Sequence, residues 1–426
     1  MMRINSSKLS IYRNIITITL LLFYVSLYFV PYFREVFGLP SWVAVREMLL
    51  GSLLIIMLYK CKTPKVPLWF FLYTILLLCS FIVSEYHGAA LSTVIILIRF
   101  IFLYVFTATF IKTEHQKIFF CRFFYLMGFI ALAMILLQVV VGPIPVINMY
   151  SAFDEASMRF GLFRYSTVFG NTITSAMLLL IFLFQVIELH RKNTFKVVFI
   201  VLIVFGILMT VSKAPIAILA IYLAYILIKK FFEMSFGYKI ITSFICFSVL
   251  FILTNHFYHE IEETVYTVQL IDNINTSDQL ESDVQARVLE KPQKIFNMMM
   301  DRGFLSVIIG GGFDIAGQAA DEVGGIKPHN AIIEIFANLG VFGVCLYGYI
   351  FYSILRFSIS IKPTTLANKH LKGLASGVVI ALVSALFVDP HITNVLMVPV
   401  FFLLAVADSH ARPHFQKIES RMVYSH

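Results

Sequence analysis

Runs of some twenty apolar residues recur along the whole chain, each bounded by a short polar or basic segment. A helix crossing a ~30 Å hydrocarbon core needs roughly 20 such residues, because every backbone N–H and C=O must find its partner inside the segment. Membrane strands would instead alternate apolar and polar positions over roughly ten residues, and that alternation is absent. The expected fold is all-α: a polytopic integral membrane protein of about twelve transmembrane helices. The expected spans are 15–32, 41–59, 67–84, 89–111, 120–141, 168–188, 197–211, 214–228, 240–256, 339–356, 373–388 and 395–408. Composition points the same way, since 59% hydrophobic and 13% charged residues leave too little polar surface to cover a water-soluble globule of 426 residues.

Positive charge sets the expected orientation. The chain carries a net +9, but its basic residues sit at the ends of apolar runs rather than along one stripe, which argues against nucleic acid as a partner. With the N-terminus inside, 22 of the 33 Lys and Arg fall on the cytoplasmic side, among them Lys60, Lys112, Arg191, Lys229 and Arg356. Both termini are therefore expected in the cytoplasm. Arg3, Lys8 and Arg13 precede an apolar run of full spanning length with no small-residue cleavage site, which reads as a retained first helix. None of the five cysteines falls in an expected external loop, so no disulfide framework is implied.

The expected organisation is helices 1–5 over 1–141, a first external loop at 142–167, helices 6–9 over 168–256, a large external loop at 257–338, helices 10–12 over 339–408 and a cytoplasmic tail at 409–426. Long loops in compact proteins commonly carry function. The second one has helical apolar spacing from Gln285 to Met300 and an apolar run from Phe304 to Gly312, so it is expected to fold into a small external cap.

The most informative stretch is Lys327-Pro328-His329-Asn330, leading into the tenth span. Pro328 suits a helix start, and Asn330 and Glu334 fall one turn apart on one face. An imidazole where aqueous cap meets membrane is suited to proton transfer near neutral pH; a histidine that only caps the helix is the plainer alternative.

Pro328-His329-Asn330 followed by an apolar helix and Gly340 resembles the signature of the O-antigen polymerase and O-antigen ligase superfamily of bacterial inner membranes. Three further stretches agree in order and spacing. Arg159-Phe160-Gly161-Leu162-Phe163 leading to Gly170-Asn171 resembles that family's arginine-containing segment. Thr210-Val211-Ser212-Lys213-Ala214 resembles its Thr-x-Ser-Arg-Gly turn between consecutive spans. Arg287, Asp301-Arg302-Gly303 and Gly310–Gly312 resemble the middle of its periplasmic loop. The likeness covers about residues 140–360. Lys213 stands where the family more often has arginine and Ala214 where it often has glycine; lysine keeps the charge but loses the bidentate fork that fits phosphate oxygens.

The resemblance implies a metal-independent glycosyltransferase without cofactor, using undecaprenyl-pyrophosphate-linked oligosaccharide at the outer face of the inner membrane. As a polymerase it would move the growing glycan from its lipid pyrophosphate to the next lipid-linked repeat unit in lipopolysaccharide biosynthesis, with a chain-length regulator as a possible partner. The ligase, which transfers finished polymer to lipid A core, and a flippase of lipid-linked sugars are the alternatives. In the polymerase reading His329 is the base, Arg159, Arg287 and Lys213 bind pyrophosphate, and Asn330, Glu334 and Arg164 support them. Guanidinium groups suit that ligand through paired charge-assisted hydrogen bonds. Salt bridges to Asp154, Glu155, Glu281 or Asp283 are the local alternative for the arginines, and snorkelling to water the alternative for Lys213.

Other polar residues read as structural. Arg46 and Arg99 lie inside expected spans and should face protein or a wet cavity, with Glu47 an internal partner for Arg46. Gly310–Gly312 lacks the lysine and following helix of a P-loop and reads as a turn. Asp389-Pro390-His391 adds two titratable groups on an external turn, with no metal-ligand spacing.

Overall fold

The computed structural model describes residues 6–37, 41–59, 67–84, 87–147, 158–159, 162–189, 194–233, 291–313, 331–386 and 396–409. In chain order these form α1 (Ser6–Phe37), α2 (Ser41–Tyr59), α3 (Leu68–Val83), α4 (His87–Phe110) and α5 (Glu114–Val141). A two-residue hairpin follows, β1 (Met158–Arg159) with β2 (Leu162–Phe163), then α6 (Thr172–Leu189), α7 (Thr194–Met209) and α8 (Lys213–Glu233). Beyond it come α9 (Lys291–Asp301), α10 (Phe304–Ile309), α11 (Ala331–Ser360), α12 (Leu366–Ala385) and α13 (Leu396–Ser409). Eleven of the expected spans fall on helices, and the span expected at 240–256 lies outside the described residues.

Among the described residues, five stretches are long and apolar enough to cross a membrane: Thr93–Phe110, Glu114–Val141, Thr172–Leu189, Ala331–Ser360 and Leu366–Ala385. Apolar side chains such as Leu68, Ile82, Val140, Val141, Phe195 and Val197 point outward from several helices. An apolar exterior of that extent fits lipid as the surrounding solvent.

Several helices depart from the expected bounds, α1 and α11 by the most. α1 starts at Ser6 rather than 15, because a helix does not stop where its apolar run stops; Ser6, Ser7 and Lys8 extend it as polar turns. α11 starts at Ala331 rather than 339 and is broken at Gly340, whose φ of 65° and ψ of −165° are not helical. Its first half packs with α9 and α10 and its second half with the bundle.

α6 lies at the centre of the bundle. It is apolar on every side, as a fully enclosed helix must be, and every residue from Thr174 to Val186 is buried. Its most extensive neighbour is α12, which approaches through Gly373 and Gly377. A second block of the core is aromatic and joins α1, α4, α5 and α13: the Tyr24 ring lies 4.9 Å from Phe120, and Phe124 lies 5.4 Å from Phe402. The Tyr24 hydroxyl shares a 2.6 Å hydrogen bond with Thr107, so even this apolar block leaves its polar group paired.

Glu47 on α2 accepts from Arg46 and, across to α4, from Arg99, each through Nη2 at 2.9 Å. The expected internal pair is thus a triad, and one carboxylate offsets part of the charge of two arginines within apolar helices.

Residues 291–313 do form a small helical unit. Ile295 and Met299 of α9 bury against Ala337 of α11, with Val307 of α10 and Ile333 and Phe336 of α11 closing around them. This is a separate core from that of the bundle.

Candidate functional site

Two junctions collect the conspicuous sequence segments. The first lies between α5, α6 and α7. Ahead of α6 the chain turns back through the hairpin, with Arg159 opposite Leu162, and continues without helical hydrogen bonding to Gly170. Non-helical backbone within an apolar bundle requires partners from protein side chains. Gln138 of α5 donates through Nε2 to the Ser166 carbonyl at 2.9 Å, and the Thr167 N–H donates to Ser175 Oγ of α6 at 3.0 Å. Asn171 then starts α6, its Oδ1 accepting from the Thr174 N–H at 2.9 Å.

The Tyr165 N–H donates to the carbonyl of Met209, the last residue of α7, at 3.2 Å. That bond brings the arginine-containing segment against the Thr210–Lys213 turn. Thr210 and Ser212 are buried there, and Thr210 Oγ1 donates to the Ile207 carbonyl at 2.7 Å. Val211 between them has a φ of 48°, an uncommon conformation for a β-branched residue and one that stores strain. Lys213 opens α8 and is exposed. A cation at a helix N-terminus opposes the helix dipole, so Lys213 is not placed for helix stability. Arg164 is half-buried and donates through Nη2 to Thr172 Oγ1 at 2.7 Å.

The second junction is where α10, α11 and α3 meet. Gly310 sits against the break in α11: a Cβ on Gly310 would lie 2.1 Å from the Asn338 carbonyl oxygen, and one on Gly340 would lie 2.4 Å from the Ile308 carbonyl oxygen. Only glycine fits at either place, and both have positive φ. The Gly310 N–H donates to the Ser306 carbonyl and the Gly311 N–H to the Ala337 carbonyl, each at 2.8 Å. The Gly311 carbonyl accepts from Arg302 Nη1. The glycine run is therefore a packing joint, with two of its three N–H groups already committed.

Of the sequence-derived site residues, Arg164 and Lys213 stand at the first junction with the backbone of Arg159. Glu334 lies half-buried in the first turn of α11, where a carboxylate also complements the helix dipole. His329 and Asn330 immediately precede α11 and, with Arg287, lie outside the described residues, as does Asp389-Pro390-His391. Among the described residues no three His, Cys, Asp or Glu side chains come together as metal ligands. Under the break in α11 an apolar cavity of about 40 Å³ is lined by Leu339, Gly343 and Tyr347, with Tyr73 of α3 and Phe401 of α13.

Residues that sequence reasoning passed over are the polar ones inside spans: Ser80 and Ser84 on α3, Gln138 on α5 and Ser175 on α6. Their one available signal was an uncompensated polar group in an apolar run, which for serine is weak. No family model matches the chain, and no curated protein matches it significantly.

Proposed function

We propose that the protein is an O-antigen polymerase of the inner membrane, with twelve spans, both termini cytoplasmic and the α9–α10 unit on the periplasmic side. The observation that carries the reading is the meeting of the Arg159–Asn171 segment with the Thr210–Lys213 turn. Those two of the four stretches that resemble the polymerase and ligase superfamily flank α6 and α7 and are brought together in the fold by the hydrogen bond from the Tyr165 N–H to the Met209 carbonyl.

In this reading His329 takes the proton of an acceptor sugar hydroxyl as its oxygen bonds the anomeric carbon of the donor glycan. The bond from that carbon to the pyrophosphate oxygen breaks, and undecaprenyl pyrophosphate leaves with the electron pair. Arg159, Lys213 and Arg287 hold the pyrophosphate charge as it develops, which is where fixed cations accelerate such a step. Arg164, Asn330 and Glu334 support them. The donor already carries its activation in the pyrophosphate linkage, so the reaction calls on no cofactor.

The test is lipopolysaccharide banding in a deletion strain complemented with wild type, His329→Ala or Arg287→Ala, each with membrane expression verified. The polymerase reading expects core plus a single repeat in the deletion strain, a full ladder with wild type and no ladder with either variant. Loss of even the single-repeat band in the deletion strain would transfer the assignment to a ligase or flippase. Full ladders from both variants would remove His329 and Arg287 from the site.

A further inference from the structure

Ser80 and Ser84 lie one turn apart at the end of α3, both buried, in a helix otherwise almost wholly apolar. Hydroxyls in such helices ordinarily return to a carbonyl of their own helix, as Thr74 does to Phe70 at 2.9 Å. Ser80 does not. Its Oγ–H donates at 2.6 Å to the Asn338 carbonyl, 258 residues away in sequence. Ser84 donates to the Ser80 carbonyl at 2.8 Å, and its Oγ accepts the Phe313 N–H at 2.9 Å. One face of α3 thus holds α11 just before its break and the chain just after the glycine run.

The break makes these bonds matter. At Gly340 the helical ladder is interrupted, so the carbonyls ahead of it need donors from elsewhere. Gly311 N–H serves Ala337 and Ser80 serves Asn338. The first half of α11 is also fixed to α9 and α10 by their shared core. The α9–α10 unit and residues 331–339 therefore form one body, which meets the bundle at Gly340, at the two serines and through Ile309, Phe313 and Leu339. His329 and Asn330 come directly before that body in the chain.

We propose that Ser80 and Ser84 are positioning residues: a two-hydroxyl latch that fixes the α9–α10 unit and the leading half of α11, with Glu334 in its first turn, against the bundle for glycan transfer. The proposal rests on the polymerase reading for its chemistry, but the latch itself is a mechanical claim.

Both parts are tested on the full-length protein in lipid nanodiscs by hydrogen–deuterium exchange and by elongation of purified lipid-linked repeat units. The variants are Ser80→Ala/Ser84→Ala, Ser80→Thr and, as control, Ser353→Ala, whose hydroxyl bonds only along its own helix to Tyr349. Leaving a buried carbonyl without its donor should speed amide exchange over 304–313 and 331–339 by roughly tenfold or more, with α5 and α6 unchanged. Elongation turnover should fall by a similar factor at unchanged half-saturating substrate concentration, and Ser80→Thr should restore much of both. Unchanged exchange in the double variant would overturn the latch. Faster exchange with wild-type turnover would overturn the positioning role and leave a structural joint. If the wild-type protein elongates nothing, the polymerase reading fails, and the exchange result alone decides whether the latch exists.

Discussion

Replacing Gly377 with alanine tests the central contact of the bundle. The added methyl carbon would stand 2.7 Å from the Ile181 Cα and 2.8 Å from the Ile181 carbonyl oxygen, both backbone atoms that no rotamer change can move. Ordinary contact lies near 3.5–4.0 Å, so α12 must retreat from α6 by about 1 Å along their most extensive contact. Overpacking of this kind costs about 1–3 kcal/mol, while alanine returns up to about 1 kcal/mol of helix propensity. The expected net loss is about 1–2 kcal/mol. Gly373 approaches the Gln185 Cα in the same way, at 2.8 Å, so one retreat relieves both sites and the double alanine variant should cost less than the sum of the singles. Gly348, on α11 with nothing within 4 Å of its built Cβ, supplies the control, and Gly348→Ala should be neutral or stabilising. Thermal unfolding of the purified proteins in detergent, followed by size-exclusion chromatography, reads all four. Gly377→Ala as stable as Gly348→Ala would show that the crossing yields freely and that the argument from close approach is wrong.

Two further outcomes follow from local geometry. Glu47→Gln leaves Arg46 and Arg99 without their shared carboxylate; because the Glu47 side chain is 41% exposed, the expected loss is roughly 2 kcal/mol rather than that of a fully buried pair, and adding Arg99→Met should recover most of it in a double-mutant thermal-stability cycle. Val211→Gly removes a β-branched residue from a φ of 48° and should raise stability by about 0.5–1 kcal/mol, whereas a lower unfolding temperature would mean that the valine side chain holds the turn more than its backbone strains it.

The helices were legible in the sequence because run length and backbone pairing leave a lipid-embedded chain few options, and eleven of the twelve expected spans fall on α1 to α8 and α11 to α13. The ends were less legible. Hydropathy marks where lipid stops, while α1 continues through Ser6 and Ser7 because its hydrogen-bond ladder continues. The break at Gly340 was hidden for another reason: an isolated glycine in an apolar helix is usually silent, and its role here depends on Gly310, thirty positions earlier, arriving from a different element. Lys213 could be picked out because Thr210–Ala214 resembles a turn of the polymerase and ligase superfamily, and Arg164 because positive charge is scarce on its expected side of the membrane. Ser80, Ser84 and Gln138 could not, since only the fold decides whether a hydroxyl or amide turns back on its own helix or reaches another.

The two junctions also differ in when they can form during synthesis. Gln138 and Ser175 flank the non-helical stretch closely, so most of its partners are made before α7 leaves the ribosome, and Met209 completes the set soon after. Ser84 must wait 229 residues for Phe313, and Ser80 must wait for Asn338. During that interval α3 carries two hydroxyls with no distant partner, and the chain holds an N-terminal bundle whose docking face for the cap is already inserted but bare. A polypeptide released early would retain the arginine-bearing junction and lack the joint that α3 makes with α11 and the glycine run.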